Sequence, residues 1–325
     1  MLQYFFVRNH YFVSVGIFCL LVFAILWNFY PLFHPQNSVS SPLPSFLTIS
    51  QNNQAATLDI WLPQLMNQVE AQFNRPEITA QSALLFDLTS NKTLFEKDVT
   101  KKLPMASLTK VMTAIVGLEH QKSDDRYQVT SPDLVGEDAM GLENGEVLTL
   151  EELLYGLILH SGNDAAETIA SNYSGGRTEF IKAMNNKAVS LGLSNTHFTN
   201  PTGLEGDGNQ YTTAYDLMVI SRYALSNFPL FRTVAQTFDY TLPQTATHKE
   251  YYLENETNLL TSYPGVKGVK TGYTPEAGLC LITYLDYQGH QIIGVLLGSE
   301  NRRDEMRELL DYGLKSEGIT PPKHS

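Results

Sequence analysis

Three short segments hold residues whose types and spacing can do acyl-transfer chemistry. The first is Pro104-Met105-Ala106-Ser107-Leu108-Thr109-Lys110. If it opens a helix, positions i and i+3 share a face, and the Lys110 amine can approach the Ser107 hydroxyl. A serine hydroxyl is a poor nucleophile until a base takes its proton, and a lysine serves as that base only when burial or a nearby cation lowers its pKa. A helix start also leaves backbone N–H groups unpaired, so the Ser107 N–H is free for a developing oxyanion. The second segment is His160-Ser161-Gly162-Asn163-Asp164, between two predicted helices. Ser161 can relay a proton and Asn163 can hold a substrate amide, although either residue also makes an ordinary helix cap. The third, Val269-Lys270-Thr271-Gly272-Tyr273, falls on a predicted strand. Lys270 offers a cation, Thr271 a hydroxyl, and Gly272 a place where a ligand can come close to the backbone. Taken alone, a strand-end turn accounts for it equally well.

The elements around these segments follow from periodicity. Residues 80–88 read as a strand, 89–92 as a turn and 93–98 as a second strand. Leu108, Val111, Met112, Ile115 and Leu118 have the spacing of one buried helical face over 107–120. Thr149 with Glu152 forms a capping box that opens a helix over 150–159. Further helices are predicted over 164–171, 178–191 and 213–226. Strands follow over 239–242, 268–271, 279–285 and 291–297, with a hairpin turn at 286–289 and a closing amphipathic helix over 302–314. Early strands, a helical middle and late strands make an α+β order, unlike the alternation of a parallel α/β sheet.

Composition narrows the class. With 43% hydrophobic residues the 325-residue chain can build a sizeable core. Its net charge of −12 and the lack of any basic run argue against nucleic-acid binding. Two cysteines, Cys19 and Cys280, cannot make a disulfide framework, and the eight histidines include no His-Glu-x-x-His, so no metal is expected. Residues 11–33 contain no charge and are long enough to cross a bilayer. A cleaved signal peptide is the competing reading, but the run is long and lacks a small-x-small site. Arg8 before the run sets the orientation. The expected organisation is a cytoplasmic segment 1–10, a transmembrane anchor 11–33, a flexible Pro/Ser/Asn/Gln-rich linker 34–56, and a domain 57–325.

Ser-x-x-Lys, Ser-x-Asn and Lys-Thr-Gly, in this order on helix, loop and strand, resemble the signature of penicillin-binding proteins and class A β-lactamases. Gly162 stands where that signature has Asp, as is common in serine-type D-alanyl-D-alanine carboxypeptidases. The resemblance runs from about Ile78 to Gly313 and includes PMASLTK, HSGNDAAE, Asn200-Pro201-Thr202-Gly203-Leu204, Tyr211 to Leu217, and GVKGVKTGYT. It implies a transpeptidase-like α+β fold with the site in a cleft between an antiparallel sheet and a helical region. It also implies roles. Ser107 would be the nucleophile and Lys110 its base, Ser161 would pass a proton to the leaving D-alanine, and Asn163 would hold the substrate backbone. Lys270 would supply positive potential and Thr271 would bind the terminal carboxylate. The N–H groups of Ser107 and Tyr273 would form the oxyanion hole, and Arg302 or Arg303 would steer the carboxylate.

The implied activity is removal of the terminal D-alanine from peptidoglycan stem pentapeptides, without a cofactor, in a bacterial cell membrane with the domain on the outer side. β-Lactams would be covalent inhibitors. The β-rich C-terminal domain and tail common in such proteins are not expected here. A DD-endopeptidase shares all three motifs. A class A β-lactamase needs a Glu in Glu-x-x-Leu-Asn, a pattern that none of the glutamates between Asn163 and Lys270 fits. An inactive wall-binding module would be expected to lose Ser107 or Lys110.

Overall fold

The computed structural model describes residues 74–257 and 259–324. The expected segments 1–10, 11–33 and 34–56 lie outside them. Among the described residues no helix is long and apolar enough to cross a membrane.

The frame is a five-stranded antiparallel sheet in the order β2-β1-β9-β8-β7. It comprises β1 (Ser82–Asp87), β2 (Lys92–Lys97), β7 (Val266–Thr274), β8 (Gly278–Tyr287) and β9 (His290–Ser299). Strand side chains alternate between faces, and the two faces bury different cores. Leu84, Phe86, Ile282, Ile293 and Val295 face a helical region. Ala83, Leu85, Leu281, Ile292 and Leu296 face α8 (Arg302–Ser316) through Met306, Leu309 and Leu310. The β8–β9 connection is a two-residue turn in which Gln288 (φ 48°) and Gly289 (φ 85°) are both left-handed, as the strand twist favours.

The helical region contains α1 (Lys110–Glu119), α2 (Leu150–Ile158), α3 (Asn163–Ser171), α4 (Gly176–Ser190) and α5 (Ala214–Asn227). The capping box is formed as read: Glu152 N–H donates to Thr149 Oγ1 at 3.3 Å, and Thr149 N–H donates to Glu152 Oε2 at 2.7 Å. Several sequence readings are corrected. The helix expected from residue 107 starts instead as a 3-10 turn, Ala106–Thr109, which runs into α1. The strand expected over 239–242 is present with those bounds as β5 (Asp239–Leu242), but outside the main sheet, paired with β6 (Tyr251–Glu254) in a separate ribbon. Also unforeseen were β6, the short pair β3 (Tyr127–Gln128) and β4 (Val147–Leu148), and helices α6 (Pro229–Gln236) and α7 (Leu259–Ser262).

Candidate active site

Ser107 lies in the 3-10 turn, where residues i and i+3 eclipse. Lys110, the first residue of α1, is therefore stacked directly below it. Its Nζ lies 2.8 Å from Ser107 Oγ, 2.7 Å from Asn163 Oδ1 and 2.8 Å from the Thr202 carbonyl oxygen. As an ammonium, Lys110 spends all three donors on these acceptors. As an amine it keeps two donors for Asn163 and Thr202, and its lone pair is left facing the serine proton. Lys110 is fully buried, and burial pushes its pKa well below the ordinary lysine value, with the nearby Lys270 charge adding to the effect.

The α2–α3 junction supplies the next residues. Gly162 is the N-cap of α3 and no side chain caps that end, so the capping alternative for Ser161 and Asn163 does not hold. The Asn163 amide is fixed from both sides: Oδ1 accepts from Lys110 while Nδ2 donates to the Glu137 carbonyl at 2.6 Å. Ser161, two residues earlier, is buried and left-handed at φ 58°, a conformation that costs a non-glycine residue about 1 kcal/mol or more. Asp164, given no role in the sequence reading, orders the wall above the site. Its carboxylate accepts from the N–H groups of Met140, Gly141 and Leu142, each at 2.9 Å.

Two glycines grip the 3-10 turn. A Cβ on Gly272 would meet Ser107 N at 3.0 Å, so the space that the sequence suggested for a ligand is taken by the turn that carries Ser107. On the other side a Cβ on Gly203 would lie 1.9 Å from the Ala106 carbonyl oxygen. Gly203 (φ 92°) closes a loop organised by Asn200, whose Oδ1 accepts from Thr202 N–H at 3.2 Å and Gly203 N–H at 2.7 Å. That loop aims the Thr202 carbonyl at Lys110. Thr202 and Gly203 belong to a stretch noticed in the sequence, but their function rests on a contact that no local pattern announces.

Lys270 is interior to β7 and fully buried, so the strand-end-turn alternative also fails. Its Nζ donates to the Thr271 carbonyl at 3.0 Å. Burial lowers its pKa to about 8; the carboxylate of Glu256 opposes this and the Arg302 guanidinium reinforces it. Thr271 Oγ1 donates to Glu256 Oε2 at 2.9 Å. Tyr273 is exposed at the end of the strand. The two arginines separate clearly: Arg302 turns inward and donates to the Gly272 carbonyl at 2.7 Å, whereas Arg303 is exposed. β7 is an edge strand, with backbone groups on its outer side available to an extended peptide.

Comparison with known proteins agrees with this geometry. Residues 68–301 match the family model described as D-alanyl-D-alanine carboxypeptidase. A D-alanyl-D-alanine carboxypeptidase of Bacillus subtilis is 36% identical over 245 residues, which is 72% of this chain and 61% of that protein. The chain thus spans less than two thirds of that relative's length. The crystal structure of a DD-transpeptidase from Streptomyces superposes with a TM-score of 0.70 at 33% identity, covering 75% of this chain and all of that one. A penicillin-binding protein of Listeria monocytogenes in its cefotaxime-bound form superposes with a TM-score of 0.65 at 28% identity, covering 74% of this chain and all of that one.

Proposed function

The chain belongs to the D-alanyl-D-alanine carboxypeptidase family, and on that premise we propose that it removes the terminal D-alanine from peptidoglycan stem pentapeptides through an acyl-enzyme on Ser107. The observation that carries this reading is the buried Lys110 amine, with Asn163 and Thr202 occupying two donors and Ser107 Oγ at 2.8 Å. The neutral amine takes the serine proton as Oγ attacks the penultimate carbonyl. The N–H groups of Ser107 and Tyr273 hold the oxyanion, and Asn163 lies beside the substrate backbone. Collapse breaks the peptide bond, and the leaving amine receives the proton through Ser161. Water then attacks the ester with Lys110 as base, which frees Ser107. Lys270 contributes positive potential, while Thr271 and Arg302 receive the leaving residue's carboxylate. No step calls for a cofactor.

In this reading residues 11–33 are a retained single anchor, 34–56 a tether and 57–325 the catalytic domain, on the extracytoplasmic side of a bacterial cell membrane. The uncharged run and the preceding Arg8 support that placement. β-Lactams act as substrate mimics whose opened ring stays attached, hindering deacylation. With benzylpenicillin, intact-mass spectrometry should show one added drug mass that Ser107→Ala abolishes, and D-alanine release from a pentapeptide should vanish in the same variant. Rapid penicillin destruction without an adduct would make the protein a β-lactamase.

A further inference from the structure

The roles assigned so far cover the leaving residue and the carbonyl under attack, but nothing that precedes them in the substrate. The direction of the bound peptide follows from those roles. Thr271 receives the terminal carboxylate, and the N–H groups of Ser107 and Tyr273 hold the carbonyl oxygen. The peptide therefore runs alongside β7, with its upstream residues passing Tyr273 toward Thr274 at about 3.3 Å per residue. A cavity of about 220 Å³ lies at that end. Ala106, which precedes one oxyanion donor, and Thr274, which follows the other, both line it, together with Met105, Gly203, Glu205 and Glu276. Its lining holds two carboxylates and no cationic side chain.

Glu205 is exposed but held in place. It accepts the Thr274 hydroxyl, and its Oε1 accepts the Glu276 N–H at 2.9 Å. The Thr274 oxygen in turn accepts the Ala277 N–H at 3.1 Å. The Thr274 hydroxyl and the Glu276 N–H hold the Glu205 carboxyl below its ordinary value, so it is ionised at neutral pH. Among the described residues no Lys, Arg or His forms a salt bridge with Glu205 or Glu276. A clasp between this loop and the end of β7 needs only an acceptor oxygen, which an amide supplies as well as a carboxylate. The charge is left over, facing the path of the upstream peptide, where it favours a cationic group.

We infer that Glu205 sets specificity for the residue that precedes the two D-alanines, favouring a side chain that ends in a free ammonium over the same side chain with its amine acylated. The inference rests on the DD-peptidase reading, which sets the direction of the peptide. Glu205→Gln keeps an oxygen for the Thr274 hydroxyl and the Glu276 N–H and removes only the charge. The test compares kcat/KM of wild type and this variant on peptides ending in L-lysyl-D-alanyl-D-alanine and in Nε-acetyl-L-lysyl-D-alanyl-D-alanine. Wild type should favour the free amine, and at low salt the amine-to-acetyl ratio should fall about twofold or more in the variant, the size of an exposed charge pair. The wild-type preference should also shrink as salt screens it. A smaller change in the ratio overturns the inference, as does an equal loss on both peptides, which would mark Glu205 as a clasp alone. Acylation of Ser107 by a penicillin with a 6-aminohexanoyl side chain and by its N-acetyl form, timed by intact mass, reads the same preference without peptide turnover. If neither peptide is cleaved but the amine-to-acetyl acylation ratio falls twofold in the variant, the carboxypeptidase reading fails and the role of Glu205 stands. If the peptides are cleaved and their ratio does not move, the reading stands and the role fails. With neither cleavage nor a shifted adduct ratio, both fail.

Discussion

Lys110 and Lys270 are two buried lysines that share one cleft, and the proposed mechanism needs them in different charge states. In that mechanism Lys110 acts as an amine and Lys270 as a cation. The Lys270 charge helps to keep Lys110 an amine, while burial works against the Lys270 cation. With Lys270 lowered to about 8, kcat/KM should fall as pH rises through that value, and the acid limb should report loss of the Lys110 amine. The same shift has a stability consequence. The unfolded chain binds the Lys270 proton up to the ordinary pKa of 10.5, so between about 8 and 10.5 it holds more protons than the native state, and stability rises with pH across that window. Below pH 8 the buried charge costs the fold about 3 kcal/mol. Lys270→Met should therefore inactivate the enzyme yet raise its melting temperature at pH 7, with the advantage shrinking toward pH 10. A variant that melts lower at both pH values would show that the Lys270 contacts outweigh its desolvation.

At the scale of elements, the site depends on a four-residue 3-10 turn pressed between a loop and a strand. Gly203 and Gly272 are the two surfaces of that grip, and neither backbone can move independently. Gly203→Ala sets a Cβ against the Ala106 carbonyl and strains a φ of 92°. It should cost about 1–3 kcal/mol and, by moving Thr202 off Lys110, slow penicilloyl-adduct formation roughly a hundredfold, about 2.7 kcal/mol. Differential scanning calorimetry and timed mass spectra would read the two effects. Much of this level was legible beforehand. The apolar spacing of Val111, Met112 and Ile115, the Thr149–Glu152 box and the order of the three motifs all act locally. The 3-10 start was not legible, because Ala106 (φ 48°) adopts a left-handed conformation that only the surrounding loop enforces. β6 was missed although Tyr251 and Leu253 alternate with exposed Tyr252 and Glu254, since four residues give too short a pattern.

At the scale of the whole molecule, the α+β order was readable because the described residues place their strands of the main sheet before and after a helical middle. The sheet order was not, since the pairing of β1 with β9 joins residues such as Ser82 and Leu297. The Thr271–Glu256 and Lys110–Thr202 contacts were hidden for the same reason: distant segments meet only once the fold has formed. At this scale the expectation about the N-terminus is tested by sequencing the mature protein. A retained anchor predicts a chain that still contains residues 11–33, and a first residue beyond Phe33 would identify a cleaved signal instead.

The insertion of β9 between β1 and β8 also constrains when the protein can acquire its shape. A ribosome releases β1 early, but its partner β9 is among the last segments to emerge. Until then β1 exposes apolar residues on both faces, and β7 and β8 lack their central neighbour. Loop closure over so long a separation is slow and is repaid only at the end. The five-stranded sheet thus cannot close until synthesis is nearly complete. Completion of the sheet and assembly of the cleft against it then coincide.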